Sequence, residues 1–341
     1  LSNFSPTAGN AVRGTFFPRV SVVVPIYNGE ADLPDLVSCL LAQSYPGDRV
    51  EYLLVDNGSR DRTSTLLQMA VRAGTEQGLT LRSFTEAEIQ SSYAARNVGI
   101  RAAQGEILAF TDADCRPISN WLEQLVQPFT DAAVGLVAGE VKALPGNTLL
   151  ERFADRQETL SQKHTLAHSF LPYGQTANLA VRRHILEQSG LFRPYLTTGG
   201  DADLCWRIQQ QGNWQLHFAE EAIVQHRHRT TLPELRRQWQ RYGTSNRYLH
   251  ELHGVDLMRT LSLSAYAHRW MRWLLKELPG AGLKMFSRKA DLSVMLETPI
   301  NLLCIQARAS GQRQAGLPAA AREIAWLDQR PSEPETDRPN G

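Results

Sequence analysis

The chain has 341 residues, enough for one large domain or two modest ones at roughly 100 to 200 residues each. With 42% hydrophobic and 21% charged residues it has the make-up of an ordinary globular protein, which excludes collagen-like, coiled-coil and largely disordered classes. The 36 Lys and Arg against 35 Asp and Glu leave a formal charge of +1, so no global basic field argues for nucleic acid and none is expected as a partner.

Leu1 to Pro18 form an N-terminal tail with neither the basic start nor the apolar stretch of a signal peptide, and no apolar run reaches the roughly 18 residues of a membrane span. Because the sequence starts at Leu1 and not at Met, a preceding segment is expected. Cys39, Cys115, Cys205 and Cys304 stand far apart with no C-x-x-C pair, which suits neither a zinc cluster nor a disulfide framework and favours a reducing cytoplasm.

Val20 to Ile26 is a β-branched apolar run closed by Tyr27-Asn28-Gly29, the pattern of a buried parallel strand ending in a turn. A helix follows from the start signals Asp32 and Pro34 and the helical spacing of Leu33, Leu36, Val37, Leu40 and Leu41. The alternation continues with a strand at Glu51–Val55, a helix from about Thr63 to Ala73, a strand at Thr80–Phe84, a helix around Tyr93–Ala103 and a strand at Ile107–Phe110. This is the order of a doubly wound α/β sheet. Val134–Ala143 and Asn178–Val181 read as further strands, with Trp214–Phe218 and Ala222–Val224 as weaker ones. From about Thr231 the texture turns helical, basic and aromatic, and after Arg330 the composition predicts a disordered tail, 331–341.

Ligands of such sheets bind beyond the carboxyl ends of the strands, and the polar clusters of this chain stand there. Asp112-Ala113-Asp114 follows a buried strand, where two carboxylates one residue apart can face a divalent cation that in turn binds a diphosphate. Asp56, one residue beyond its strand, suits either a turn or a hydrogen bond to a base or ribose.

Val22-Val23-Val24-Pro25-Ile26-Tyr27-Asn28, Val55-Asp56-Asn57-Gly58-Ser59-Arg60-Asp61, Ala95-Arg96-Asn97-Val98-Gly99 and Thr111-Asp112-Ala113-Asp114 occur in an order and spacing that closely resembles glycosyltransferase family 2. Gly174 to Arg183 resembles the acceptor-side strand of that family and Gly199 to Arg207 its catalytic segment, so the resemblance covers roughly Arg19 to Tyr242. It implies a GT-A fold, a doubly wound mixed sheet flanked by helices, over 19–250, with a helical C-terminal extension over 251–330.

It also implies an inverting, metal-dependent transfer of a sugar, most often a hexose, from a nucleoside diphosphate donor to an acceptor hydroxyl. By matching position, Asp201 would be the general base, Asp112, Asp114 and His226 would hold Mn²⁺ or Mg²⁺, and Pro25, Tyr27, Asn28, Asp56, Asn57, Arg96, Asp112 and Ala113 would bind the donor. Thr176, Asn178, Gly200, Asp203 and Trp239 would line the acceptor side. Two departures stand out: Gly200 where the family has Glu before the base, and Asn57 where it often has a second acid. UDP is the first donor base expected, with GDP or dTDP behind it, and the alternative to an enzyme is a binding protein of the same fold without turnover. Gln238 and Trp239 are adjacent, which does not reproduce the Q-x-x-R-W pattern of processive synthases.

Tyr266, Trp270, Met271, Trp273, Leu274 and Leu275 alternate with His268, Arg269, Arg272 and Lys276. This suits either a helix packed on the catalytic domain or one lying in a membrane interface, at the inner face of the membrane. The acceptor left by these readings is a carbohydrate, a lipid or a small molecule.

Overall fold

The structure is a computed structural model and describes residues 16–280 and 292–328. Most of the expected N-terminal tail and all of 331–341 therefore lie outside the described residues. Eight strands form one sheet: Val20–Ile26 (β1), Val50–Asp56 (β2), Thr80–Thr85 (β3), Ile107–Thr111 (β4), Cys115–Pro117 (β5), Val134–Ala143 (β6), Asn178–Arg182 (β7) and Gln215–His226 (β8). Their order is β3-β2-β1-β4-β7-β6-β8-β5. β1 pairs in parallel with β2 on one side and β4 on the other, so the chain reverses its winding at β1 and leaves a crevice at the strands' carboxyl ends. β7 runs antiparallel to both of its neighbours, which makes the sheet mixed.

Every residue of β1, β2 and β4 is buried, because helices cover both faces. Alternate β1 side chains divide between two cores: Val22 and Val24 join Leu36, Leu40 and Trp121 on one face, and Val23 joins Ile100, Phe110 and Leu204 on the other. The helices are Leu33–Leu41 (α1), Thr63–Glu76 (α2), Ser92–Ala102 (α3), Trp121–Val126 (α4), Leu149–Arg156 (α5), Gln162–Leu166 (α6), Ile185–Ser189 (α7), Gly200–Gln211 (α8), Leu232–His253 (α9), Leu263–Arg272 (α10), Leu292–Met295 (α11) and Glu297–Gln314 (α12).

Two strands differ from the sequence expectation. The weak candidates Trp214–Phe218 and Ala222–Val224 are one strand, β8, whose pairing with β6 jumps from Ala219 opposite Gly139 to Ile223 opposite Glu140. This bulge expels the exposed Glu220 and Glu221, the acids that break the apolar pattern. β5 has only three residues, too few to leave a period in the sequence, and it pairs Cys115 with His226.

α9 opens on a Thr231–Glu234 capping box and closes on Gly254 at φ 70°, so it runs unbroken through the boundary expected near residue 250. α12 lies against it backbone to backbone. A Cβ on Gly243 would collide with the Arg308 carbonyl, and one on Gly311 with that of Gln240. Beyond α12 the chain returns to the second of the two cores, where Ala321 and Ala325 are buried and Leu191 N donates to Ala325 O at 2.7 Å. α10 behaves differently, since none of its residues is buried. Among the described residues no helix is long and apolar enough to cross a membrane.

Candidate active site

The loops after β1 and β4 line a cleft of about 690 Å³. The loop after β2 is fastened to the one after β1: Asn28, at φ 50°, accepts from Arg60 N through Oδ1 at 2.9 Å, and its own N–H donates to Ser59 Oγ at 2.8 Å. Asn tolerates this left-handed backbone better than most residues, so the turn is written in the sequence. Pro25, Tyr27 and Asn28 form one wall, with Tyr27 half exposed.

Asp112, Ala113 and Asp114 form the floor. Arg96, on α3, is 3% exposed and pairs with Asp112 Oδ1 at 2.5 Å, while its guanidinium lies 5.5 Å from the Tyr93 ring and 6.0 Å from that of Phe192. Arg96 is thus a fixed, desolvated cation beneath the carboxylate, which at 31% exposure still faces the cleft.

Asp114 Oδ1 lies 3.2 Å from His226 Nε2, a contact created by the β5–β8 pairing, and Arg229 approaches its other oxygen at 3.7 Å. Burial alone would raise the Asp114 pKa, but the His226 and Arg229 charges outweigh it and hold the carboxyl down at about 2. For His226 burial opposes the charged form and Asp114 more than compensates, so its pKa is raised.

Ligand atoms of Asp114, Cys115 and His226 lie within 4.8 Å of one another, and His226 Nδ1 is buried without a hydrogen-bond partner. The Cys115 sulfur points at Ala177 O, and burial pushes its thiol well above its usual range, so it stays protonated. A carboxylate and an imidazole remain as the donor pair. This set fits a divalent cation.

Asp201 sits in the first turn of α8, on the opposite side of the same cleft, and its Oδ1 accepts from Thr176 Oγ1 at 2.9 Å. Its pKa is raised, first by burial and further by Asp112, with Arg96 acting against both. A carboxylate lifted in this way is a stronger base than one in water. Gly199 at φ 80° turns the chain into α8, and Gly200 brings the helix start against Tyr93.

Five further candidates lie off the cleft lining. Asn178 is fully buried and spends its whole amide inside the sheet, accepting from Trp121 Nε1 and donating to Glu140 O and Ala222 O. Asp203 is also fully buried, held by Arg193, Arg207 and His253 at 3.0 Å each. Trp239 points into a separate apolar cluster with Leu150, Phe153 and Ile300. Asp56 and Asn57 are buried as well: Asp56 Oδ1 caps Ser59 N, and Asn57 Nδ2 donates to Glu86 O and Ile89 O.

The cleft also takes in Tyr93, Arg229 and, from α9, Arg237, Gln238, Arg241 and Tyr242. The α9 residues share one helical face by i, i+3 and i+4 spacing, a signal that also places Trp239 elsewhere.

The winding reversal at β1, the carboxylates beyond β4 and the buried carboxylate at the start of α8 stand together in a mixed sheet of the GT-A type. Residues 21–195 match Glycosyl transferase family 2. The chain is 34% identical over 251 residues to "Glycosyltransferase AglE" of Haloferax volcanii, covering 73% of this chain and 80% of that one. It is 30% identical over 284 residues to "Pre-mycofactocin glycosyltransferase" of Mycobacterium tuberculosis, covering 82% of this chain and 56% of that one. The fold is shared with mannosyltransferase PcManGT of Pyrobaculum calidifontis, solved in complex with GDP-Man and Mn²⁺, at TM-score 0.61 and 21% identity over 88% of both chains. The chain belongs to glycosyl transferase family 2 and is a glycosyltransferase.

Proposed function

We propose that the cleft performs a metal-dependent, inverting and non-processive transfer from a nucleoside diphosphate sugar to an acceptor hydroxyl. The observation that carries this is the joint placement of Asp201, hydrogen-bonded to Thr176, and of the Asp112–Asp114–His226 group around one cleft. In the reaction the acceptor oxygen bonds to the anomeric carbon as the bond from that carbon to the diphosphate breaks, and Asp201 takes the hydroxyl proton. Thr176 orients the accepting carboxylate. Arg96 anchors Asp112, and Arg229, Arg237 and Arg241 supply cations along the cleft for diphosphate oxygens. Asp114 and His226, with Asp112 alongside, would hold Mn²⁺ or Mg²⁺, whose charge offsets the one developing on the leaving diphosphate.

UDP-sugars are the donors proposed first. The GDP-Man bound by PcManGT makes guanosine the competing base. A thermal-shift panel of UDP, GDP, dTDP and CDP, each with Mn²⁺, Mg²⁺ or chelator, tests the reading, because a ligand of the folded state alone raises its stability. A shift with one nucleotide that vanishes with chelator and in Asp114→Ala supports it. No shift with any nucleotide, in folded protein, refutes it.

A further inference from the structure

Asp32 is the N-cap of α1, a position where an aspartate commonly accepts hydrogen bonds from the free N–H groups of its own helix. Its side chain makes no such bond. The carboxylate engages two arginines instead: Oδ1 accepts from Arg116 Nη2 at 2.8 Å and lies 3.0 Å from Arg227 Nη2. Asp32 also lines the same cleft as Asp112 and Asp114.

Each arginine leads to one member of the candidate metal pair. Arg116 belongs to β5, and its side chain is 7% exposed. Its Nη1 donates to Ala113 O at 3.2 Å and to Cys115 O at 2.9 Å, the carbonyls on either side of Asp114, while Nη2 reaches Asp35 Oδ2 at 3.3 Å as well as Asp32. A planar guanidinium holds such a set in one fixed orientation, which a lysine could not. Arg227 follows His226 at the end of β8, and its N–H donates to Asp114 O at 3.4 Å. One carboxylate therefore fastens both the segment that carries Asp114 and the segment that carries His226 to the start of α1.

We propose that Asp32 is a positioning residue for divalent-cation binding: through Arg116 and Arg227 it sets how Asp114 and His226 stand to each other. Leaving the cap of α1 unmade costs helix stability, and the carboxylate is directed to the two loops instead. Groups that hold metal ligands in place are worth about 10–100-fold in metal affinity. This inference rests on reading Asp114 and His226 as the holders of the cation.

Titration of Mn²⁺ into the full chain with UDP or GDP present tests it, with binding read from the loss of the electron paramagnetic resonance signal of free Mn²⁺. The melting temperature of each metal-free variant is recorded alongside. Asp32→Asn keeps the size of the side chain and is expected to weaken Mn²⁺ binding by about 10–100-fold. Arg116→Gln is expected to do the same and the exposed Arg227→Ala to give a smaller loss, so a failure of Arg116→Gln to fold leaves two variants that carry the test. The Asp35 side chain is 66% exposed, and Asp35→Asn is the control, expected to change binding by less than about threefold. Unchanged Mn²⁺ affinity in Asp32→Asn and Arg227→Ala, even with a lowered melting temperature, overturns the proposal, because that is the result of a merely structural role. Mn²⁺ binding that Asp114→Ala abolishes and Asp32→Asn leaves alone defeats the positioning inference only. No Mn²⁺ binding by the unaltered chain, or binding indifferent to Asp114→Ala, defeats the metal-dependent reading of the cleft and this inference with it.

Discussion

Tyr93 occupies the space that a side chain at position 200 would need: a Cβ on Gly200 would stand 2.7 Å from the ring carbon Cζ. The ring is itself fixed, stacked on Phe192 at 5.5 Å and set against Arg96. Where an acid would stand before Asp201, the Tyr93 ring takes up the space a side chain would need. Gly200→Ala is expected to destabilise the fold by about 1–3 kcal/mol through overpacking. Tyr93→Ala combined with Gly200→Ala is expected to cost less than the sum of the two, as urea denaturation of the four proteins in the cycle would read.

In the proposed reaction Thr176 acts through Asp201. Its hydroxyl bond favours the ionised carboxylate, so Thr176→Val raises the Asp201 pKa further. The acid limb of the kcat/KM profile should move to higher pH, and kcat should fall about ten- to hundredfold, the worth of a hydrogen bond to a charged group. Thr176→Ser keeps the hydroxyl and should restore both. A loss of activity with an unmoved pH profile would mean that Thr176 only packs.

Asp203 stabilises the fold. Burial would raise its pKa, but His253, Arg207 and Arg193 outweigh this and hold it at about 2, below the ordinary 3.8. A carboxyl depressed on folding contributes stability that is complete above about pH 4 and lost as pH falls toward 2, here about 2 kcal/mol. In Asp203→Asn that acid-dependent loss should disappear, and stability at neutral pH should fall by about 3–5 kcal/mol because buried cations lose their counter-charge. Denaturation midpoints measured from pH 2 to 7 give both quantities.

Gly243 and Gly311 let α9 and α12 touch through their backbones, which ties the C-terminal helices to the catalytic sheet. Gly243→Ala should cost about 1–3 kcal/mol by overpacking. Limited proteolysis should then release α12 before the sheet.

The alternation of buried runs with 3.6-period segments made β1, β2, β4 and α1 to α3 legible, because these three strands lie inside the sheet and are buried on both faces; β3, at the sheet's edge, was legible from its place in that alternation. β5 was not legible, since three residues carry no period, and yet it places His226 beside Asp114. β8 looked like two strands because a bulge expels Glu220 and Glu221 from an otherwise continuous ladder. Within the site, the motif residues Asp112, Asp114, Asp201 and His226 converge as their positions at strand ends and a helix start imply. Asn178, Asp203 and Trp239 do not, because a motif names a position but not the direction of its side chain. For Asn178 and Asp203 the deciding factor is hydrogen bonding of a fully buried polar group, and for Trp239 it is the face of α9.

The most direct measurement is the rate of donor turnover in Asp201→Asn alongside its nucleotide binding, with the UDP- or GDP-sugar chosen by the thermal-shift panel. Loss of the base should cut sugar transfer or donor hydrolysis by about 10²–10⁴-fold while the metal-dependent nucleotide shift persists. Turnover that survives in Asp201→Asn, or nucleotide binding indifferent to chelator and to Asp114→Ala, would contradict the account.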